Sequence, residues 1–329
     1  MEPLGEGLVQ ENSEFMNEQF LPVALATLQF ERAAPCDLYR CVREGQFVFF
    51  AKRGVLFDRA ARDRVIVSGA DLLYIREEER ARYNTYLKET LVSIVNDPAV
   101  TSNKKAEAVH TACLQTLQRT FEEPRAVFLG QACEILEPTV NLIISDDQAT
   151  KHLIHLTTYD HSTYVHSTNV GIFSIALAQI LFGDDPDHDM QALGAGFFLH
   201  DLGKCKIPIE ILNKPGMLTD EEREIVQRHV LDGYQMVESS GLMTDEARTI
   251  ILQHHERDDG RGYPNQKSAE EIHPYARICR LADIYEALTA DRPYHNSRSS
   301  FEALKFMKEH VVSGPDEQLF AGFVKLFLV

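Results

Sequence analysis

The chain has 329 residues, of which 44% are hydrophobic and 25% are charged, and its formal net charge is −17. A chain of this length is expected to form about two domains, each large enough to bury its own core. The acidic balance argues against binding to a nucleic-acid polymer, because such binding depends on neutralising phosphates with Lys and Arg. A small anionic ligand can still bind, but it needs local cations.

The cysteines and the absence of targeting segments predict a cytoplasmic protein. The six cysteines form no CxxC pair and no regular framework, which is typical of free thiols in a reducing compartment. The N-terminal stretch lacks the basic region and apolar core of a signal peptide. No uninterrupted apolar run approaches the roughly 18 to 20 residues of a membrane span, so we expect a soluble chain without membrane contact.

Residues 1–80 are predicted to form a small β-rich module that begins with a loose acidic leader. Four short runs rich in Val, Phe and Tyr are separated by breaks typical of turns: PVALATLQF, CDLYRCV, QFVFFAK and RVIVSG. The module contains no cluster of ligand-type residues. Packing or docking of a partner is therefore favoured over ligand sensing, and a regulatory role stays open.

Residues 81–150 are predicted to form a helical connector that packs on the domain after it. Leu87 and Leu91 lie on one face of the first helix, which Asp97-Pro98 ends. A second helix ends at Glu123-Pro124, and a third follows it.

Every long segment of residues 151–329 has helical periodicity, so this part is predicted to be all-α. Thr219 begins a capping pattern ahead of a single predicted helix, REIVQRHVLDGYQMV. The expected fold class is α+β, with the β-rich module followed by an all-α helical bundle.

This all-α part contains a series of histidines and aspartates near predicted helix ends: His166, His200-Asp201, His229, His254-His255 and Asp283. Neutral imidazole and carboxylate are ligands for divalent ions such as iron, manganese or zinc. Adjacent residues of a helix point about 100° apart, so a His-Asp pair is better suited to two ions than to one. A carboxylate that bridges two ions is suited to in-line displacement at phosphorus, which predicts a phosphohydrolase centre.

Four segments together resemble the HD-GYP family: HDLGK, IPIEILNKPGMLTDEE, HHERDDGRGYP and LADIYEALTADRPY. This family is the subgroup of HD-domain phosphohydrolases associated with hydrolysis of cyclic di-GMP, and the resemblance covers residues 160–311. It implies two divalent ions, with iron or manganese favoured. One ion would be held by His166, His200, Asp201 and Asp283, and the other by Asp201, His229, His254 and His255.

Some members of the family hold a third ion through a Glu four residues before the first His. That position is Ser162 in this chain, so we predict a dinuclear site. Asp160 or His161 is a candidate to replace this ligand, and Asp160 is also a candidate to contact the substrate. Glu256 is a candidate to orient a ligating histidine through its second ring nitrogen.

The resemblance also implies residues that bind the substrate. Lys204 is placed to hold a phosphate oxygen and to act with Asp201 in catalysis. Arg292 resembles a phosphate-contacting arginine, and the next basic position of that motif is His295, a weaker cation. Tyr263 could line the pocket, stack on a guanine or form part of a docking surface.

The expected reaction is hydrolysis of cyclic di-GMP to linear pGpG, and onward to GMP, by a hydroxide that bridges the two ions. One alternative is a slow relative that senses the dinucleotide, which Ser162 and His295 favour. Another is a hydrolase of a different cyclic dinucleotide. Signalling proteins are candidate partners of the N-terminal module or of the loop Gly262-Tyr263-Pro264.

Overall fold

The computed structural model describes residues 20–29, 32–43, 45–67, 72–157, 162–183, 185–290 and 297–328. The chain forms two compact units, residues 1–90 and 91–329. The three-part division drawn from the sequence, at residues 80 and 150, stays a prediction. Asp160, His161, Arg292 and His295 lie outside the described residues, so their roles also stay predictions.

The first unit contains a four-stranded antiparallel sheet with the strand order β1-β4-β2-β3. The strands are β1 (Phe20–Ala24), β2 (Leu38–Arg43), β3 (Gln46–Ala51) and β4 (Leu72–Arg76). Helix α1 (Arg59–Val67) lies between β3 and β4, and α2 (Arg80–Asn96) follows the sheet. Leu73 and Ile75 of β4 are fully buried while Leu72 is exposed, as expected where one face of a strand packs on a core.

One strand prediction in this unit is wrong. The residues RVIV, taken as a strand, form the end of α1, and the strand that follows them is β4. The Asp58 side chain accepts a hydrogen bond from the backbone N–H of Ala61 at 2.7 Å, as a residue at a helix N-terminus does. Val65 is buried whereas Ile66 and Val67 are exposed, which is a helical burial pattern.

The second unit is helical in its described residues, and the predicted α+β fold class is confirmed. Its helices are α3 (Ser102–Glu122), α4 (Ala126–Ser145), α5 (Asp147–Leu156), α6 (Thr163–Phe182), α7 (Met190–Leu199), α8 (Ile209–Leu212), α9 (Asp220–Gln227), α10 (His229–Ser240), α11 (Asp245–Gln253), α12 (Pro274–Thr289), α13 (Ser300–His310) and α14 (Asp316–Lys325).

Helix α6 lies at the centre of this unit. It contacts α3, α4, α5, α7, α12 and α14, and its residues from Val165 to Ala178 are all buried. Helices α4 and α6 are long and apolar enough to span a membrane by length and composition alone. The protein interior covers 56% of the apolar window of α4 and 78% of that of α6, as expected for core helices. The absence of membrane contact and the cytoplasmic location stay predictions.

Two arginines of α12 fix this helix against the end of the chain. Arg277 and Arg280 both pair with Asp316, which is fully buried at the start of α14. Both also pair with Asp258, in the loop after α11. Because buried charges are tolerated only when paired, this network fixes the position of the helix that carries Asp283.

A buried histidine of α3 makes stability depend on pH. Burial lowers the pKa of His110 to about 4, whereas a histidine in an unfolded chain titrates near 6.5. Because the folded pKa is depressed, the stabilisation is complete above about pH 6.5 and is lost as the pH falls towards the folded value. The wild type should lose unfolding free energy as the pH falls from about 7.5 to about 5, and in His110→Leu this loss should be about 2 kcal/mol smaller. Urea denaturation at the two pH values measures both losses.

His310→Leu is the matched control, since the side chain of His310 is 58% exposed. The same pH dependence in wild type and His110→Leu would contradict the prediction.

Candidate metal centre

Four histidine rings and one carboxylate converge inside the second unit. His166 comes from the start of α6, His200 and Asp201 follow α7, His229 begins α10, and His254 follows α11. All five side chains are buried. All four ligand-bearing segments therefore meet at or near helix ends, where adjacent side chains can be used together.

The two oxygens of Asp201 face two different groups of rings. Its Oδ2 lies 3.2 Å from Nε2 of His166 and 3.4 Å from Nε2 of His200. Its Oδ1 lies 3.2 Å from Nε2 of His229 and 3.7 Å from Nε2 of His254. This is the arrangement required of a carboxylate that bridges two ions.

The two remaining predicted ligands each contact one of these two groups. On one side, Oδ1 of Asp283 is 3.2 Å from Nε2 of His166. On the other, a ligand atom of His255 lies within 4.8 Å of those of Asp201, His229 and His254. The structure thus places six of the seven predicted ligand residues in two groups that share Asp201, and Asp283 lies beside the first group through its contact with His166. The role of all seven as ligands stays a proposal.

Backbone carbonyls orient three of the histidines. The Nδ1 atoms of His200, His229 and His254 hydrogen-bond to the carbonyl three residues earlier, at 2.8, 2.6 and 2.9 Å. If each Nδ1–H donates to its carbonyl, the ring carries its proton there and the lone pair of Nε2 is free to bind a metal. The helical spacing of donor and acceptor thus aims each ring at Asp201.

The atoms at the centre lie close together without forming hydrogen bonds. Among the described residues, none forms a hydrogen bond of acceptable geometry with Nε2 of His166, His200, His229 or His254, or with Oδ1 of Asp201. A buried polar group without a partner costs about 1–3 kcal/mol. Separations near 3.2 Å suit neighbouring donors on one ion with bonds of about 2.0–2.2 Å. This donor set therefore fits divalent transition-metal ions on both sides of Asp201.

The electrostatics keep Asp201, His229 and His255 in the protonation states that bind metal, whereas the carboxylates around His166 raise the pKa of that ring well above its usual value despite its burial. Burial alone would raise the pKa of Asp201, but the charge of Lys204 and the neighbouring imidazoles hold it well below its usual value. Lys204 pairs directly with Oδ2 of Asp201. Burial lowers the pKa of His229 and that of His255. The carboxylate is ionised, and these two rings are neutral.

Glu286 is a site residue that the sequence analysis missed. It is 2% exposed, and its Oε2 forms a hydrogen bond with Nδ1 of His166. Its Oε1 accepts a hydrogen bond from Nδ2 of Asn169 at 3.4 Å. A carboxylate behind a ligating histidine fixes the ring and makes it a stronger donor. The only sequence signal was spacing, since Glu286 lies three residues after Asp283.

We expect Glu286→Gln to weaken binding of the metal on the His166 side by about 10- to 100-fold. Glutamine preserves the size of the side chain but removes the charge that holds the imidazole. Metal affinity would be measured by competition with a chelator. Glu317→Gln, at an exposed position of α14, is the matched control, and equal affinity in the two variants would exclude this positioning role.

The loop after His255 is organised differently from the prediction for Glu256. Its buried carboxylate accepts backbone hydrogen bonds from Asn265 at 2.7 Å and Lys267 at 2.9 Å. Glu256 therefore holds the loop, not a histidine. The ring of Tyr263 lies 4.7 Å from that of His255, with an angle of 30° between them. Contact of Tyr263 with substrate stays a prediction.

The comparisons with known proteins agree with this geometry. The family model described as an HD domain matches residues 160–319. Cyclic di-GMP phosphodiesterase PA4108 of Pseudomonas aeruginosa is 36% identical over 65% of this chain and 51% of that protein. The 3'3'-cGAMP-specific phosphodiesterase 1 of Vibrio cholerae is 37% identical over 50% of this chain and 37% of that protein. The chain thus spans about half the length of the Pseudomonas relative, and less of the Vibrio one.

A solved structure shares the fold. Bd1817, an HDG"Y"P protein from Bdellovibrio bacteriovorus, superposes with a TM-score of 0.69 and 23% identity, covering 94% of this chain and all of that one. Residues 160–319 therefore form an HD domain. The HD pair, the GYP loop and these relatives support the assignment of this domain to the HD-GYP family.

Proposed function

We propose that this chain is a metal-dependent phosphodiesterase that opens a cyclic dinucleotide. The observation that carries the proposal is the buried Asp201, with each carboxylate oxygen facing imidazole Nε2 atoms that form no hydrogen bond among the described residues. The names of the relatives support the substrate class, since they are phosphodiesterases of cyclic di-GMP or of 3'3'-cGAMP. We place cyclic di-GMP first and linear pGpG as its product.

When bound, two divalent cations supply an activated water and neutralise charge on the phosphoryl oxygens. The chain holds them through two sets of residues: His166, His200, Asp201 and Asp283, and Asp201, His229, His254 and His255. In the reaction, water oxygen bonds to phosphorus, the bond from phosphorus to the 3′-oxygen breaks, and that oxygen leaves with a proton. One ring opening thus gives a linear dinucleotide with a 5′-phosphate.

Lys204 is the cationic residue of this centre that can bind a phosphate oxygen of the substrate. Its side chain is 20% exposed and pairs with Asp201. An ammonium on a flexible stem can keep one donor on the carboxylate and offer another to a phosphate oxygen. In an acidic chain this local cation helps to hold an anionic substrate.

The test is incubation of anaerobically purified protein, loaded with Mn²⁺ or Fe²⁺, with cyclic di-GMP, followed by chromatography of the products. We expect pGpG to accumulate, and a chelator to stop its formation. Tight retention of intact cyclic di-GMP without product would replace the proposal with a sensor of the dinucleotide. A parallel incubation with 3'3'-cGAMP tests the other substrate named among the relatives.

Docking of signalling proteins at the loop Gly262-Tyr263-Pro264 or at the N-terminal module stays a prediction.

A further inference from the structure

The two edges of the sheet in the first unit differ in their chemistry. The strand β1 forms one edge and contains Pro22, which has no backbone N–H to offer to a further strand. The strand β3 forms the other edge and pairs with β2. Its six residues, QFVFFA, include neither a proline nor a charged residue. The outer side of β3 therefore has the backbone groups that an added strand needs.

Apolar side chains are exposed along β3 and beside it. Phe49 is 56% exposed, and Val48 is exposed on the opposite face of the sheet, because successive side chains of a strand alternate. Val42 of the neighbouring strand β2 is exposed as well. Natural proteins usually protect such an edge with a charge, a proline or a covering segment. Among the described strands, none covers the outer side of β3.

Basic side chains lie at both ends of this edge. Arg43 is exposed in β2 and lies opposite Gln46, the first residue of β3. Lys52 and Arg53 are exposed and directly follow the last residue of β3. Residues 38–56 contain four basic residues and one acidic residue, whereas the whole chain has a net charge of −17. The charge at this edge therefore complements an acidic partner and repels a basic one.

The same charges distinguish between the possible occupants. A second copy of this chain would pair its β3 with this one in an antiparallel, two-fold arrangement. Arg43 of one copy would then lie near Lys52 and Arg53 of the other, and like charges that face each other across strands are repulsive. A lipid surface would attract the basic groups but would leave the backbone of β3 unpaired in an apolar medium. An extended acidic peptide satisfies the backbone, the apolar groups and the cations together.

We propose that β3 binds an extended acidic segment of a partner protein, which adds to the four-stranded sheet as a further strand. Main-chain hydrogen bonds to β3 provide the affinity of such an interaction. The exposed apolar side chains and the flanking cations select a segment in which apolar and acidic residues alternate. This inference concerns the first unit alone and is independent of the function proposed above.

The probe is a fluorescein-labelled peptide of alternating glutamate and valine, about eight residues long. Its binding to the full chain is measured by fluorescence anisotropy. Two matched peptides are the controls. One has N-methyl groups on two adjacent central nitrogens, so that both of its edges lose a hydrogen-bond donor. The other has lysine in place of every glutamate and keeps the same backbone and valines.

Two charge reversals test the site on the protein. Lys52→Glu changes the edge, and Lys104→Glu, at an exposed position of α3, is the matched control with the same change in net charge. Equal melting temperatures of the two variants would establish that both are folded. Wild type and Lys104→Glu should bind the acidic peptide equally, and Lys52→Glu should bind it about fivefold more weakly. The N-methylated peptide should bind wild type about tenfold or more weakly.

Equal affinity of wild type for the acidic peptide and its N-methylated form would overturn the addition of a strand. Equal affinity for the lysine peptide, or for Lys52→Glu and Lys104→Glu, would overturn the selection of an acidic segment. Absence of binding to the acidic peptide would overturn the whole proposal. In that case, binding to vesicles of phosphatidylcholine and phosphatidylserine would identify a lipid surface, and a dimer in sedimentation would identify a second copy.

Discussion

Replacing Asp201 by Asn should lower turnover of cyclic di-GMP by about 10³-fold or more and remove most of the bound metal. Both oxygens of Asp201 face ring nitrogens, on the His166 side and on the His229 side. Asparagine keeps the size of the side chain but replaces one oxygen with an amide that cannot bind a cation. It also removes the charge that pairs with Lys204. This single substitution should therefore weaken metal binding on both sides of the centre.

Elemental analysis of the purified protein and kcat/KM with cyclic di-GMP are the two measurements. Asp245→Asn is the matched control, because the side chain of Asp245 is 91% exposed at the start of α11. This control should retain both metal and turnover. If Asp201→Asn holds two ions per chain and keeps most of its activity, Asp201 does not bridge them.

The residues that meet at the candidate centre could be predicted from sequence because the prediction depends on residue type and order. His200-Asp201 and His254-His255 are adjacent pairs, and each pair lies just after a helix. The family resemblance was enough to predict that these two pairs lie close together. Glu286 could not be found in this way, because a Glu on a helix is ordinary until α6 and α12 are seen to pack together.

Local breaks in secondary structure were harder to predict than the elements themselves. The segment after Thr219 was expected to be one helix, but it forms α9 and α10, and His229 is the first residue of α10. The capping box between Thr219 and Glu222 is present as expected. The bond of the His229 ring to the carbonyl of Val226 lies at this break. Apolar periodicity continues through it and does not reveal it.

In the N-terminal module, the end of a helix was predicted to be a strand, and a real strand was missed. The β-branched run in RVIVSG predicted a strand, but Asp58 caps the helix Arg59–Val67, which includes the first four of these residues. Propensity is a weak guide where a local hydrogen bond favours another structure. The LLYIR strand was missed even though Leu73 and Ile75 alternate in it as a strand requires.

A second large effect is expected from Gly203→Ala, in the turn after Asp201. A methyl group on Gly203 would lie 1.9 Å from the carbonyl oxygen of His229 and 2.5 Å from the backbone nitrogen of Gly233. Both contacts are with backbone, so no side-chain rotation can relieve them. The turn must move away from α10, which separates Asp201 from His229. We expect a loss of about 3 kcal/mol or more of unfolding free energy, at the upper end for overpacking.

Gly130→Ala is the control that isolates this close approach. Gly130 lies in α4, and a methyl group there meets nothing within 4 Å. That substitution should stabilise the protein by about 0.5–1 kcal/mol, because alanine loses less conformational freedom in a helix. Urea denaturation measures both changes, and metal analysis should reveal loss of metal in Gly203→Ala alone. Equal urea midpoints in the two variants would mean that the turn and α10 can separate without loss of stability. Equal metal content would mean that the pairing of Asp201 with His229 does not depend on the contact between the turn and α10.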